Sequence, residues 1–370
     1  MGAGLDRRTL LGGTLWAVLL GGGKLLAQDT AQETDSVCRR CRGLGLVPRA
    51  SAKAYVFVEG QAEFDPAAAA VGQNCPLCMK GGDEAALIDA ANRQHADVLA
   101  HHAQWEERLG EKLLLVQTRH AAIHTQLKVA DARRVGEAVE QMALRLQRVA
   151  SSLAITPTRP AGYSQAILWG EPAWTKFRAA MEQHFTPEQL GENWQNAGKG
   201  IMYDHPAVAH CYLTQKVIRD APAEYFAVKL AATRQIWVAT DTRSPAWMIE
   251  GMAAYAQHAV LGSARVFTIY AQGRGPTRPV TLAETARQAA AGQFRPWEKL
   301  LARDLRDFEV TDYVQSLAMV AFLVEDQPAK FLAFVERLKA GTLVPAAFEE
   351  AYGATAGDLE TACGKWLARR

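Results

Sequence analysis

The sequence predicts an α+β chain that is mostly helical, in which a small cysteine-knuckle module precedes a short β-sheet and a helical C-terminal half. Three observations point there. Two Cys-x-x-Cys pairs lie within the first eighty residues. Strand-like runs are concentrated between those pairs and in residues 112–168. From Pro206 onward almost every segment carries apolar residues at helical period, the exception being Val266-Phe267-Thr268-Ile269-Tyr270. With 370 residues, 49% hydrophobic and 22% charged, the chain is an ordinary globular mixture. That excludes collagen-like, disordered and disulfide-dense mini-protein classes and predicts two or three domains.

Residues 1–28 read as a removable signal peptide. Asp6, Arg7 and Arg8 give a charged start, Leu10 to Leu20 an apolar stretch interrupted by glycines, and Ala27 a small residue for cleavage. The stretch is short for a bilayer span, although an uncleaved anchor helix is the competing reading. Arg7-Arg8-Thr9-Leu10-Leu11 resembles the twin-arginine export signature. Asp6 departs from the Ser or Thr usual before the arginines, so the general secretory route stays open. The expected address is periplasmic or extracellular, with no membrane attachment after cleavage. Removing Asp6, Arg7, Arg8 and Lys24 leaves 38 charges of each sign. Net charge therefore implies neither a nucleic-acid partner nor an anionic surface.

Residues 36–82 form the expected cysteine module. Cys38-Arg39-Arg40-Cys41 and Cys75-Pro76-Leu77-Cys78 are knuckles that each turn two sulfurs to one side, and two knuckles supply the four thiolates of a closed structural zinc site. Glycines follow each pair, Gly43 and Gly45 after the first, Gly81 and Gly82 after the second. Ala54-Tyr55-Val56-Phe57-Val58 reads as a strand between them. The segment resembles a zinc ribbon, and its first knuckle resembles the Cys-x-x-Cys-x-Gly-x-Gly repeats of chaperone zinc domains. Two disulfides are the alternative in an oxidising compartment. Neither pair is followed by His, which argues against haem attachment. The arginines beside the first pair offset the charge of a tetrathiolate zinc and do not call for nucleic acid.

Residues 83–111 read as a helical linker whose His95, His101 and His102 lie on a solvated face. Lys112 to Thr125 reads as a strand on which His120 and His124 share a face. Asp131 to Leu153 is an amphipathic helix, Ser164 to Leu168 a second strand, and Glu171 to Phe185 a further helix. Cys363, in the last helix, reads as a small core hydrophobe.

Ser244-Pro245-Ala246-Trp247-Met248-Ile249-Glu250-Gly251-Met252-Ala253-Ala254-Tyr255 resembles the second zinc helix of gluzincin metallopeptidases, Pro-x-Trp-Leu-x-Glu-Gly-Leu-Ala-x-Tyr. Tyr313-Val314-Gln315-Ser316 and the tail from Phe331 to Trp366 are similar to later parts of the same peptidase-like family. The resemblance covers roughly Leu113 to Arg370 and implies that residues 112–370 form a gluzincin-like domain, with Glu250 at the position of the third zinc ligand. The departure is decisive for chemistry. No His in the chain is followed by Glu, so the His-Glu-x-x-His helix that binds zinc and activates water is missing. The better-preserved relic is His210-Cys211-Tyr212-Leu213-Thr214, with Cys211 in place of the base and Thr214 in place of the second His. A rival alignment through Lys229-Leu230-Ala231-Ala232-Thr233 keeps no ligand but lies nearer the usual distance before Glu250.

Three uses of these residues follow. His205 could swing towards His210 if Pro206 opens a helix, giving with Glu250 a two-His, one-carboxylate zinc set and a metallopeptidase with non-standard ligands. Cys211 beside His210 is a poor nucleophilic pair, because adjacent helical residues diverge. The favoured expectation is a non-catalytic protein that holds a peptide or protein segment in a decayed cleft, with structural zinc as its only cofactor. Metal analysis of the mature protein should find one zinc per chain. Cys38→Ser should abolish it and melt the module, whose folding depends on the ion. Disulfides Cys38–Cys41 and Cys75–Cys78 in the native protein would overturn the zinc assignment.

Overall fold

Six strands meet in one sheet, and long helices pack on both of its faces. The computed structural model describes residues 46–48, 55–70, 72–74, 84–151, 164–169, 203–205, 208–213, 222–240, 244–265 and 279–370, with scattered helical positions between 175 and 183. The architecture is α+β and mostly α. The strands are β1 (Leu46–Pro48), β2 (Val56–Val58), β3 (Gly72–Asn74), β4 (Leu114–Thr118), β5 (Ala122–Thr125), β6 (Ser164–Trp169), β7 (Tyr203–His205) and β8 (Val208–Leu213). The helices are α1 (Pro66–Ala69), α2 (Glu84–Leu109), α3 (Val129–Ser151), α4 (Ala223–Ala239), α5 (Ala246–Leu261), α6 (Leu282–Ala290), α7 (Trp297–Leu301), α8 (Val310–Asp326), α9 (Pro328–Lys339), α10 (Val344–Tyr352) and α11 (Ala356–Leu367).

The main sheet has six strands in the order β2-β4-β5-β6-β8-β7. β5, β6 and β8 run parallel and the outer pairings are antiparallel. Period-two alternation gives the sheet two buried faces. Val58, Val116 and Ile123 meet α3 through Val135, Val139 and Met142. Leu115 and Ala122 face the other way and pack with Val98 of α2. Gly136 lets α3 approach closely, since a Cβ there would stand 2.7 Å from Val116 Cγ1 and 2.8 Å from Val56 Cγ1.

Several expectations change. The strand expected between the cysteine pairs does not stay with the module: β2 pairs with β4 of the main sheet. A separate two-stranded ladder, β1 with β3, ends one residue before Cys75. Cys38, Cys41, Cys75, Cys78, the leader and Val266–Tyr270 lie outside the described residues, as does most of Glu171–Phe185. The segment 112–125 is a hairpin and not one strand, because Thr118 Oγ1 accepts from the backbone N–H of both His120 and Ala121 and turns the chain. The run Val208–Leu213 is strand β8, not helix. Six residues are too few to fix a period, and pairing with β6 and β7 decides the conformation.

The helical half is arranged around α8, in which every residue from Asp312 to Val324 is buried. A helix buried all round must meet several neighbours, and α5 comes closest. At Gly251 a Cβ would lie 2.5 Å from Ser316 O and 2.6 Å from Val320 Cγ2. Gln315 of α8 closes a two-way clamp on the Arg295 backbone, its Nε2 donating to Arg295 O (2.6 Å) and its Oε1 accepting from Arg295 N (3.1 Å). Aromatic packing completes the far side, with Phe334 stacked on Phe348 at 4.6 Å. Among the described residues, no helix is long and apolar enough to cross a membrane. Gly251→Ala should push α5 off α8 and lower stability by about 1–3 kcal/mol. A thermal or denaturant melt checks this, and an unchanged midpoint would mean that the close helix crossing is not a constraint.

Candidate functional site

α4 is apolar almost all round, with Phe226, Ala227, Val228, Leu230, Ala231, Ala232 and Ile236 buried. Lys229 stands in the middle of that buried run, only 3% exposed. An ammonium so placed needs a counter-charge. α5 supplies it. Lys229 Nζ donates to Glu250 Oε2 at 2.6 Å, and Glu250 is itself 7% exposed. Tyr313 of α8 brings its ring to 5.8 Å from the same ammonium. Thr233, one turn along α4, is buried, and its Oγ1 has no hydrogen-bond partner.

The motif residues singled out in the sequence surround this pair. Trp247, one turn before Glu250, sits among Phe334 and Phe348 with ring centroids at 6.2 and 6.1 Å. Gly251 and Ser316 make the α5–α8 contact. Tyr255, one turn beyond, has its phenol pKa pushed up to about 12, first by burial and then by Glu325. Sequence reasoning gave Glu250 its place in the core but missed Lys229 as its partner. The available signal was a cation set inside the apolar run Phe226–Ala232, 21 residues before the carboxylate.

His205 and His210 occupy different positions from those expected. His205 ends β7 opposite Val208, and His210 lies inside β8 between Tyr203 and Ala166. The helix that Pro206 was expected to open is absent, so the helical argument for a His205–His210 pair fails. So does the alignment in which His210, Cys211 and Thr214 replace a zinc helix: Cys211 belongs to the same strand, and Thr214 lies outside the described residues. The carboxylate of that set, Glu250, is bound to Lys229. The residues around Glu250 do not fit a zinc ion: an ammonium occupies the carboxylate, and the neighbouring α4 positions are Leu230 and Thr233. Among the described residues, no group of three or more His, Cys, Asp or Glu is arranged to hold a metal.

No protein-family model matches the chain, and no curated protein does.

Two polar clusters outside this pair also depart from expectation. His120 and His124 do not share a strand face, because His120 lies in the turn before β5. His120 Nδ1 lies 2.9 Å from Glu140 Oε2, while Arg119 Nη1 donates to Glu140 Oε1 at 3.1 Å. Burial alone would raise the Glu140 pKa, but His120 and Arg119 outweigh it and hold it below the usual range. This network ties the β4–β5 turn to α3. The histidines of α2, expected on a solvated face, turn inward: His102 is 4% exposed and meets the wholly buried His124. Cys363 is the small core residue expected, its thiol pKa pushed up to about 12 chiefly by burial.

Lys229→Met and Glu250→Leu should each cost about 3–5 kcal/mol, because either leaves an unpaired charge in the core. The double variant should recover at least 2 kcal/mol of the summed loss, on the order expected for contacting residues. Urea unfolding of the four proteins checks this. Additive single costs would show that the pair does not act as a unit.

Proposed function

We propose that the chain is an exported, zinc-stapled protein whose C-terminal part is a gluzincin-like domain without peptidase chemistry, and that its decayed cleft holds a peptide or protein segment. The observation that carries this reading is the Lys229–Glu250 ion pair. Under the alignment through Lys229-Leu230-Ala231-Ala232-Thr233, Lys229 stands at the first zinc-binding His, Leu230 at the general base and Thr233 at the second His. Loss of a divalent ion would leave the Glu250 carboxylate buried without a counter-charge. The Lys229 ammonium, 2.6 Å away, supplies one. Leu230 has neither a proton to give nor a lone pair to accept one, so no water can be activated at its position.

Hydrolysis through His205, His210 and Glu250 is disfavoured, because Glu250 would first have to leave Lys229. What remains is a helical scaffold with a rigid, neutralised centre, suited to binding rather than turnover. The four-cysteine module then serves as a metal-stapled appendage of the same exported chain.

A peptide-library digest with added zinc, run beside K229H/L230E/T233H, tests the reading. The wild type should cleave nothing. The triple variant should bind one more zinc per chain than the wild type, with the extra ion lost on further substitution E250Q. Chelator-sensitive cleavage by the wild type that disappears in E250Q would overturn the non-catalytic reading. A folded triple variant that gains no zinc would overturn the alignment on which it rests.

A further inference from the structure

The face that α2 turns to the sheet is built on imidazoles that contact one another, Trp105 and the sheet. His95 Nδ1 donates to Gln117 Oε1 (2.5 Å), and its ring stacks on Phe64 with centroids 3.8 Å apart. Trp105 Nε1, which can only donate, gives its hydrogen to His101 Nε2 at 3.0 Å, so that nitrogen must carry a lone pair. His102 Nδ1 and His124 Nδ1 face each other at 2.8 Å. A contact between two ring nitrogens holds one proton, and two N–H groups head to head would repel. Trp105, 1% exposed, closes the end of the row with its ring centroid 6.3 Å from that of His124.

The charged groups around this row are unevenly placed. Glu59, after β2, reaches 3.5 Å from His102 Nε2, and Glu106 of α2 reaches 3.9 Å. Glu106 is also held by Lys112 at 2.7 Å. These carboxylates can offset a charge on His102. The charges acting on His124, from β5, are those of His102 and His101; on His101 they are those of Arg108 and His102. From β4, Leu115 pairs with His124, and the neutral Gln117 meets His95. A proton added to His124 or His101 is opposed by these neighbouring cations.

The apolar contacts of this docking, with Trp105 and Leu109 also buried on α2, stand apart from the main core. Val98 packs with Leu115 and Ala122 in one small cluster, and Leu87 and Ala91 with Ala70 in another. Neither belongs to the main core built by α3 through α11. We propose that α2 is an acid-released strap: it lies on the outer face of the sheet at neutral pH and lifts off below about pH 6 as His101 and His124 gain protons, exposing Phe57, Leu115 and Ala122 while the main core stays folded.

The direction follows from linkage. Burial, then His102 and His101, holds the His124 pKa well below its ordinary value in the docked state. Burial, then Arg108 and His102, lowers that of His101. Undocking restores both, so the undocked state binds more protons below the ordinary imidazole value of about 6.5. Docking is thus fully favoured above that value and weakens as pH falls through it, about tenfold per pH unit for one linked proton.

Hydrogen-exchange mass spectrometry on the full chain at pH 7.5 and pH 5.0, corrected for intrinsic exchange, reads this directly. Protection of α2 amides should fall about thirtyfold at pH 5.0 for one proton taken up below 6.5, while α8 amides keep theirs. H124F, and separately H101F, should flatten the response. Unchanged α2 protection in the wild type would overturn the strap. Equal loss in α2 and α8 would overturn it as well, since the event would then be global. Full acid response retained in H101F/H124F would remove these histidines as its cause.

Discussion

One buried charge pair sets the geometry of the helical half. Lys229 and Glu250 come from the buried, largely apolar faces of their helices, and both are more than nine-tenths shielded from water. A charge in such surroundings is tolerable only at hydrogen-bond distance from its opposite. α4 and α5 must therefore cross where these two side chains meet. The third helix is held to the same point from the other side. Gly251, next to Glu250, admits the Ser316 carbonyl of α8, and Tyr313, one turn earlier on α8, lays its ring beside the Lys229 ammonium. Moving any one of the three helices would separate the charges or strand the ammonium.

The sheet half obeys a different rule on each face. Towards α3 the contact is aliphatic, and its polar exception, Glu140, is closed on Arg119 and His120. Towards α2 the contact is narrow and polar, and its hydrogen bonds need lone pairs on imidazole nitrogens. The first face binds through area removed from water, which does not depend on protons. The second depends on them directly. One sheet thus carries a permanent partner and a conditional one, and the difference lies in whether a strand offers Val116 and Ile123 or Gln117 and His124.

The long helices were legible because their period is sustained: α2 and α3 begin and end within two residues of the positions read from the sequence. Short runs were not. The hairpin of β4 and β5 turns on the Thr118 hydroxyl, a contact no periodicity encodes, and β8 owes its conformation to β6 beside it. The α2 histidines were misjudged because His counts as polar by composition yet is half aromatic. Phe64 stacks on His95, while Phe57 and Trp105 meet His95 and His101 edge to face. Glu250 was found from its motif, but its partner was sought among residues that resemble ligands. Lys229 resembles none, and spacing alone pointed to it.

The pair also explains how a carboxylate can persist in a centre that performs no chemistry. On the proposed reading, Glu250 once balanced a metal ion and now balances Lys229. Substituting either residue alone removes the other's oppositely charged partner from the core, at a cost approaching the whole stability of a small domain. Each residue therefore holds the other in place, whatever the cleft binds. Retention of Glu250 is then evidence about the core and not about turnover. The same logic separates Thr233, whose buried hydroxyl makes no hydrogen bond and so enforces nothing, from Lys229, which enforces a partner. A site that loses its metal can drift freely at positions like the first and stays fixed at positions like the second.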